Sequence, residues 1–406
     1  MEPLLSIAIP TFNRSVYMIK CLMSILEIEG NIEVVISDSS SDKLLKNLLE
    51  KDFNYFLEDS RLKYLYTDET LDMTSNLNRA IEHCTGHYVI FLGDDDTLVP
   101  EILQYLELFK KMKVELISPN VVVNYAWPDF STKYFKNGHK SNLYIDYNEP
   151  FIKKVSTSLA YNEALKNCFQ GTEGLPKLYH GFVSRKLLLN IKNKTNNFLH
   201  GSTPDMSAAV GLCFVADNFI QCNFPLTIPG ASGMSNTGRA ANNKHVGKLE
   251  DESQTSNISQ KSWIIGIPRY FSVEIVWAQA GIETASKFDK QVLINFPFVK
   301  LISICLVNHP NHFSSNLSTL KELIDQKYKN KYFKTFVFVT IFFLNKLFRF
   351  IKRITNPTAS NGRHHIKNIK DIYQAQLAYK NAIKKELNFN IANNIDMILN
   401  FNQTYE

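Results

Sequence analysis

The feature that most constrains the fold is the alternation of short apolar runs with longer amphipathic segments near the N-terminus. These segments cover residues 4–9, 16–28, 33–37, 44–49, 62–66, 77–83 and 87–92. Strand-length runs that alternate with helical ones are typical of parallel sheets, because parallel strands need a crossover connection that is usually a helix. The sequence therefore predicts a doubly wound α/β domain.

Three adjacent carboxylates follow the last apolar run of this pattern. Asp94, Asp95 and Asp96 come directly after the run 87–92 and a single glycine. Like charges at the end of a buried strand repel one another unless solvent or a cation compensates them. Carboxylate oxygens suit Mg²⁺ or Mn²⁺, and such ions commonly bind phosphates. The alternative is a solvated acidic turn in which Asp96 or Thr97 caps the next helix.

Other strands of the predicted sheet also end in residues suited to binding. Pro10, Asp38, Asp68 and Asp94 each follow a predicted strand closely. Ligands of open α/β sheets bind beyond the carboxyl ends of the strands. We therefore expect these four positions to lie along one crevice.

Four motifs occur in a fixed order over roughly the first quarter of the chain. They are IAIPTFNR at 7–14, VVISDSS at 34–40, MTSN with RAI and CTG between 73 and 86, and GDDD at 93–96. Together they resemble the family-2 glycosyltransferases with the GT-A fold, particularly the bacterial type that builds O-antigen and capsule polysaccharides. The order of the motifs makes chance agreement improbable. Beyond this part of the chain the resemblance is thinner.

The resemblance implies a nucleotide-sugar donor and a divalent ion, Mn²⁺ or Mg²⁺. Asp95 would bind the ion directly, Asp94 would face the ion or the donor ribose, and Asp96 would be structural. A glycine stands at position 93, where many relatives have the first Asp of the metal motif, so the sequence leaves open which carboxylate touches the ion. The donor-binding residues implied are Pro10, Thr11, Phe12, Arg14, Asp38, Asn76, Asp94 and Arg239.

Sugar transfer also needs a base for the acceptor hydroxyl. Breaking the bond to the donor develops negative charge on the diphosphate, which a divalent ion stabilises, while a carboxylate takes the acceptor proton. Asp205, in the motif 201–206, resembles the base of this family, and direct displacement would invert the anomeric centre. The alternative role for Asp205 is a helix N-cap. Glu173 is the second candidate base.

Two further features are weaker candidates for the site. The segment 229–239 is rich in small residues and ends in Arg239, so it could close over the donor diphosphate, although such segments are more often mobile surface loops. His180 could line the acceptor side, but a lone histidine is usually structural.

The chain is long enough, and at 45% apolar residues hydrophobic enough, to bury a large core in several parts. The predicted fold class is α/β of GT-A type, with a Rossmann-like, mostly parallel mixed sheet and a helical C-terminal extension. Residues 1–125 would form the nucleotide-sugar half, 126–240 the acceptor half and 241–406 the extension. A strand at 116–125, a polar linker at 240–260, and helices at 273–285, 317–328, 333–354 and 366–387 are predicted.

The basic charge of the chain, +6 in total, is concentrated around a short aromatic run near the C-terminus. Lysines and arginines within 327–353 flank the apolar residues 336–344, which are fewer than the roughly 20 that a spanning helix needs. The pattern favours a helix that lies in a membrane interface and binds anionic lipid. The alternative is a core-packing helix. An interfacial helix would suit a saccharide acceptor on a polyprenyl diphosphate, a substrate class that the resemblance implies.

The cysteines and the N-terminal residues indicate the cellular location. Six cysteines without metal-site spacing are typical of reduced, mostly buried thiols, and no basic region precedes the first apolar run, so we expect a cytoplasmic protein without a secretory signal.

One alternative to sugar transfer is an inactive sugar- or nucleotide-binding scaffold. Another is a nucleotidyltransferase, which usually needs a glycine-rich phosphate loop that 10–14 lacks. Nucleic-acid binding ranks last, because no recognisable module interleaves the basic residues.

Overall fold

The computed structural model describes residues 2–146, 149–242, 246–249, 263–355, 358–383 and 391–405. The strands are β1 (Leu5–Thr11), β2 (Ile32–Asp38), β3 (Leu62–Tyr66), β4 (Tyr88–Phe91), β5 (Thr97–Leu98), β6 (Leu116–Pro119), β7 (Val123–Ala126), β8 (Asn142–Ile145), β9 (Ile152–Ser156), β10 (Phe182–Ser184), β11 (Asn218–Cys222), β12 (Thr227–Ile228), β13 (Gly230–Ala231), β14 (Val246–Gly247), β15 (Phe271–Ser272) and β16 (His364–Ile366).

The helices cover most of the remaining chain. They are α1 (Ser15–Leu26), α2 (Leu44–Lys51), α3 (Asn54–Leu57), α4 (Met73–Glu82), α5 (Ile102–Lys111), α6 (Thr157–Lys166), α7 (Arg185–Thr195), α8 (Pro204–Cys213), α9 (Asn236–Ala241), α10 (Val273–Ala285), α11 (Val292–Asn295), α12 (Phe298–Asn308), α13 (Phe313–Glu322), α14 (Lys331–Ile354), α15 (Ile372–Ile383) and α16 (Ile391–Tyr405). Short 3₁₀ turns lie at Pro310–His312 and Gln326–Tyr328.

An eight-stranded sheet in the order β3-β2-β1-β4-β10-β6-β11-β9 forms the centre of the molecule. The first four strands are parallel, and β1, β2 and β4 are almost entirely buried. Strands covered on both faces have nearly continuous apolar sequences, which is why the N-terminal pattern identifies them. The predicted α/β sheet, parallel over its N-terminal half, and the predicted helical C-terminal part are confirmed.

The second half of the sheet is mixed, as predicted, but the pairing of its strands was not apparent from the sequence. β10 pairs antiparallel with both β4 and β6, and β11 is parallel to β6 but antiparallel to β9. The prediction of a single strand at 116–125 is wrong. The segment contains β6 and the start of β7, which belong to different sheets. β6 ends at Pro119, which has no backbone N–H to continue a ladder. β7 joins a smaller sheet in the order β13-β7-β8-β16.

The C-terminal helices agree with the sequence in part. α10 has the predicted bounds, and α14 begins two residues before the predicted 333–354. The helix predicted at 317–328 is α13 followed by a 3₁₀ turn. The segment predicted as helix at 366–387 contains the end of β16 and then α15, and its last residues lie outside the described ranges. Most of the predicted linker at 240–260 also lies outside them.

The last described elements pack on the first half of the chain. The side chain of Gln376 in α15 is buried and donates to the carbonyl oxygens of Ser24 and Leu98, at 3.1 and 2.9 Å. Asn394 in α16 donates to the Tyr105 hydroxyl at 3.2 Å. These elements therefore help to complete the N-terminal core, although the sequence predicted one C-terminal region from 241 onward.

The six cysteines are free thiols and five of them are buried, as expected. Of the helices in the described part of the chain, none combines the length and the hydropathy that crossing a bilayer requires.

Candidate active site

A cavity of about 730 Å³ opens at the carboxyl ends of β1 and β4. Its walls come from these strand ends, from the segment 230–240, and from the first turns of α8 and α10. The predicted site residues that line it are Pro10, Thr11, Phe12, Arg14, Asn76, Asp94, Asp95 and Asp205. The structure therefore brings the acidic motif and the candidate base, which are separated by more than a hundred residues in sequence, into one cavity.

Four other candidates do not line this cavity. The carboxylate of Asp38 is buried and accepts hydrogen bonds from the Ser40 N–H at 2.8 Å and the Tyr64 hydroxyl at 2.6 Å. Asp68 pairs with Lys43 on the surface. Glu173 is exposed, and Arg239 lies on α9, whose neighbouring residues form the wall. Of the four strand ends expected in one crevice, only Pro10 and Asp94 line it.

Arg14 links two carboxylates of the acidic motif. Its Nε lies 2.6 Å from Asp94 Oδ1, and its Nη2 lies 3.0 Å from Asp95 Oδ2. Asp94 also accepts a hydrogen bond from the Thr11 hydroxyl at 2.7 Å. The guanidinium lies 4.6 Å from the centre of the Tyr17 ring. Arg14 thus supplies the positive charge closest to the acidic motif.

One arginine does not neutralise this cluster. Asp94, Asp95 and Asp96 are all buried, so the alternative of a solvated acidic turn is wrong. Burial raises the pKa of Asp94, and burial together with the neighbouring carboxylates raises the pKa of Asp95 to about 7, although Arg14 opposes both shifts. A cavity wall with excess negative charge favours the binding of a further cation.

Asp96 differs from its two neighbours because protein donors surround it. Its Oδ1 accepts from the Gly230 N–H at 2.7 Å, and its Oδ2 accepts from the Gly93 N–H at 2.8 Å and the Tyr179 hydroxyl at 3.0 Å. His180 Nε2 lies 3.3 Å from the same oxygen. Burial by itself raises the pKa of Asp96, but these groups outweigh it and lower the pKa. Neither Asp96 nor His180 lines the cavity, and the oxygens of Asp96 are taken by these donors.

The small-residue segment 229–239 is fixed to the acidic motif. The Ser232 hydroxyl donates to Asp95 Oδ2 at 2.6 Å, and the Gly233 N–H donates to Asp129 at 3.0 Å. A Cβ atom at Gly230 would lie 1.8 Å from the carbonyl oxygen of Asp95, so only glycine permits this approach. The segment forms β13 and α9, with Ser235 as the N-cap of α9.

Asp205 lies in the first turn of α8. Thr203 occupies the N-cap position and Pro204 the first helical position, so the N-cap role considered for Asp205 is wrong. Its Oδ1 accepts from the Met206 N–H at 2.8 Å, and the Trp277 side chain donates a second hydrogen bond. Burial outweighs these hydrogen bonds and raises the pKa of Asp205. A buried carboxyl with a raised pKa is suited to accept a proton near neutral pH.

The donor set of the acidic motif fits a divalent ion of the magnesium type. The described residues contain no group of three or more His, Cys, Asp or Glu side chains arranged for a metal. Mg²⁺, however, is usually bound through one or two carboxylates, with water and substrate phosphates as the other ligands. Asp95 and Asp94 face the cavity and carry the uncompensated charge that such an ion would neutralise.

Two residues of this site could not be identified from the sequence. Trp277 reaches Asp205 from a helix 72 positions away, and nothing in its local sequence distinguishes it from a core residue. Ser232 lies in the segment 229–239, which the sequence indicated as a candidate part of the site. Its hydrogen bond to Asp95, however, depends on tertiary structure.

Comparisons with known proteins show similarity in the N-terminal part of the chain. Residues 6–165 match the model of the family described as glycosyl transferase family 2. The chain is 33% identical to the GalNAc(5)-diNAcBac-PP-undecaprenol beta-1,3-glucosyltransferase of Campylobacter jejuni over 106 residues. These residues make up 26% of this chain and 33% of the relative. It is 26% identical to chondroitin synthase of Escherichia coli over 185 residues. The match covers 40% of this chain and 26% of the relative.

The chain thus spans about a third or less of the length of these two curated relatives. The crystal structure of S. aureus TarS 1-349 in complex with UDP-GlcNAc covers 94% of this chain and 92% of its own, at 13% identity and a TM-score of 0.43.

Proposed function

Because residues 6–165 match the model of glycosyl transferase family 2, we propose that the chain transfers a sugar from a nucleotide-sugar donor to a saccharide acceptor. The observation that carries this proposal is the meeting of Asp94, Asp95 and Asp205 in one cavity of such a domain. A cavity of about 730 Å³ is large enough for a nucleotide sugar. The relatives named for glucosyl transfer and for chondroitin synthesis support a role in polysaccharide biosynthesis.

Each wall of the cavity has a role in this reaction. Pro10, Thr11, Phe12 and Asn76 would hold the nucleotide at the strand ends. Asp95, with Asp94, would hold Mn²⁺ or Mg²⁺, which would offset the charge that develops on the leaving diphosphate. Arg14 would be free to turn toward that diphosphate once the ion neutralises its present partners.

Asp205 would act as the base on the acceptor side. It takes the proton of the acceptor hydroxyl as that oxygen attacks the anomeric carbon, and the bond to the donor diphosphate breaks on the opposite face. This single displacement inverts the anomeric centre. The hydrogen bond from Trp277 fixes the orientation of the carboxylate. Glu173 is exposed and outside the cavity, which leaves Asp205 as the better-placed base.

The proposed donor site can be tested by thermal unfolding of the full chain with a panel of nucleotides and nucleotide sugars, with and without Mn²⁺ or Mg²⁺. Ligands that bind only the folded state raise its stability in proportion to the logarithm of their concentration over Kd. We expect one nucleotide class to raise the melting temperature, and the ion to increase the effect. No shift with any donor would contradict the proposal, and selective binding without transfer would favour an inactive scaffold.

The charge and exposure of α14 indicate a cellular location for the protein. The helix contains no acidic residue and six basic ones, Lys331, Lys334, Lys346, Arg349, Lys352 and Arg353. Its exposed large apolar residues are Tyr332, Phe333, Phe336, Val337, Ile341, Phe343, Leu344, Leu347, Phe348, Phe350, Ile351 and Ile354. One face of α14 packs along α12, and on α14 Thr335 is buried and Phe338 is partly buried. The apolar side chains named above stay exposed, which disfavours the alternative of a helix packed wholly in the core.

An exposed helix with basic and aromatic residues is suited to the interface of an anionic bilayer. We assign this role to α14 and, with it, a location at the cytoplasmic face of the membrane. The acceptor would then be a saccharide on a polyprenyl diphosphate. One relative is named for an acceptor of this class, a saccharide on PP-undecaprenol.

The membrane role predicts measurable binding to vesicles. We expect the full chain to sediment with vesicles that contain phosphatidylglycerol and much less with neutral vesicles, and salt should weaken the binding. Phe333 and Phe348 are 70% and 68% exposed. The double variant Phe333→Ser/Phe348→Ser should bind about tenfold more weakly or worse, because burying one such ring contributes about 1.5–3 kcal/mol.

Leu159→Ser is the matched control, since Leu159 is 70% exposed on α6. It should leave vesicle binding unchanged. Equal binding to neutral and anionic vesicles, or an equal loss in the control variant, would contradict the assignment of α14.

A further inference from the structure

A second, smaller cavity lies beside the catalytic one. Its volume is about 300 Å³, and its lining residues come mainly from α10, α12 and α14. Val273 and Trp277 line both cavities. The first turn of α10 is therefore the shared wall, and Trp277 touches the second cavity while it donates to Asp205 in the first.

The second cavity contains one cation that is available to a ligand. Within the described ranges no hydrogen bond or ion pair joins Arg349 to another residue. Glu274, the acidic residue of the same lining, is already held by His309 Nε2 at 2.7 Å and by the Asn308 amide at 2.9 Å. Burial raises the pKa of Glu274, but His309, a backbone N–H and the Asn308 amide together outweigh it and lower the pKa to about 2. An entering anion would therefore find Arg349 free and Glu274 compensated.

The remaining lining of the second cavity is largely apolar. Ile304, Val307 and Phe342 contribute to it, and Phe342 belongs to α14, whose neighbouring apolar side chains are exposed. Four features thus follow one another: the base, the shared tryptophan wall, a free arginine and an exposed apolar helix. A lipid-linked saccharide has its groups in the same order, with an attacking hydroxyl on the sugar, then a diphosphate, then a hydrocarbon chain.

We propose that the second cavity binds the diphosphate of an isoprenoid-linked acceptor through Arg349, with the hydrocarbon along α14 and the sugar extending past Trp277 to Asp205. The inference rests on the proposed glycosyl transfer and adds a separate acceptor-anchoring site to it. Because the two cavities share a wall, the acceptor is one in which few sugar units separate the diphosphate from the attacking hydroxyl.

Binding of farnesyl diphosphate, a short isoprenoid diphosphate, to the full chain tests this inference by calorimetry in EDTA. Inorganic diphosphate and dihexanoyl phosphatidylglycerol are the comparison ligands, since they separate a bare phosphate or a lipid headgroup from an isoprenoid diphosphate. We expect farnesyl diphosphate to bind most tightly. Arg349→Gln should weaken it about tenfold or more, because hydrogen bonds to charged groups are the strong ones.

Lys352→Gln is the matched control, because it removes the same charge from the same helix but lies outside the cavity lining. It should leave farnesyl diphosphate binding unchanged, as should Asp95→Asn in the donor site. Equal losses in Arg349→Gln and Lys352→Gln, or equal affinity for phosphatidylglycerol, would overturn the inference.

The donor site provides an independent control. Tighter farnesyl diphosphate binding in Asp95→Asn, with no change in Arg349→Gln, would place the probe in the ion-free donor site, where the loss of a negative charge favours a diphosphate; it would also overturn the inference, while the proposed function would stand. Nucleotide binding by Arg349→Gln should match that of the unmodified chain. Failure of every nucleotide to bind the unmodified chain would instead count against glycosyl transfer itself.

Discussion

Asp205→Asn is expected to lower the turnover number by about 10²–10⁴-fold, the range typical of a lost general base. The amide has the same shape as the carboxylate and still accepts the hydrogen bond from Trp277, but it cannot take a proton from the acceptor. Donor affinity should be nearly unchanged, because this substitution acts on the acceptor side. The measurement is initial-rate kinetics with the donor found in the nucleotide panel, together with donor binding.

The pH dependence gives this prediction a second readout. Burial raises the pKa of Asp205, so the active carboxylate is lost at a higher pH than for an ordinary aspartate. We expect kcat/KM to fall on the acid side, with an apparent pKa above about 3.9, and this limb to be absent from Asp205→Asn. Glu173→Gln is the control and should keep both rate and profile. Normal turnover in Asp205→Asn would exclude the assigned base.

Asp95→Asn and Asp96→Asn are expected to differ sharply, although the residues are neighbours. Asp95→Asn should abolish the part of nucleotide binding that depends on the metal ion without lowering the free energy of unfolding, because Arg14 retains Asp94 as a partner and the fold opposes ionisation of Asp95. Asp96→Asn should lower the free energy of unfolding by about 2–3 kcal/mol. Both carboxylate oxygens of Asp96 accept hydrogen bonds, and in asparagine an NH₂ group, which cannot accept, would replace one of them. Nucleotide binding and urea unfolding measure the two effects.

The sign of the pH dependence separates these carboxylates further. The folded-state pKa of Asp96 is lowered, so its stabilisation is complete above the unfolded value of about 3.9 and is lost as pH falls through the folded pKa. The deficit of Asp96→Asn should therefore shrink below about pH 4. For Asp95 the folded pKa is about 7, so its ionisation destabilises the fold as pH rises toward that value. Equal stability of the two variants at neutral pH would contradict this division of roles.

The N-terminal half of the sheet is predictable because its signal is local. β1, β2 and β4 are covered on both faces, so each is a continuous apolar run that the sequence displays directly. β10 has only three residues, and its place between β4 and β6 depends on pairing with distant strands. α12 is mostly apolar, and the polarity of its short apolar runs does not by itself distinguish a buried helix from a buried strand.

The candidate site was predictable to a similar degree. Residues of the strand-end loops line the cavity as expected, because parallel strands end at one edge of the sheet. Asp38 also follows a strand, yet its two oxygens are taken by Tyr64 and Ser40. Position at a strand end therefore identifies candidates, and the direction of each side chain depends on its neighbours in space.

The sequence by itself determined the alternating α/β pattern, the three carboxylates after β4 and the basic aromatic helix near the C-terminus, because each of these depends on residues close together in the chain. Only the tertiary structure decided that Asp96 is held by Gly230 and Tyr179, and that Arg14 lies between Asp94 and Asp95. It also decided that Trp277 meets Asp205 and that α14 keeps its apolar side chains exposed. These contacts join residues from distant parts of the chain, and no local pattern of polarity records which of them will meet.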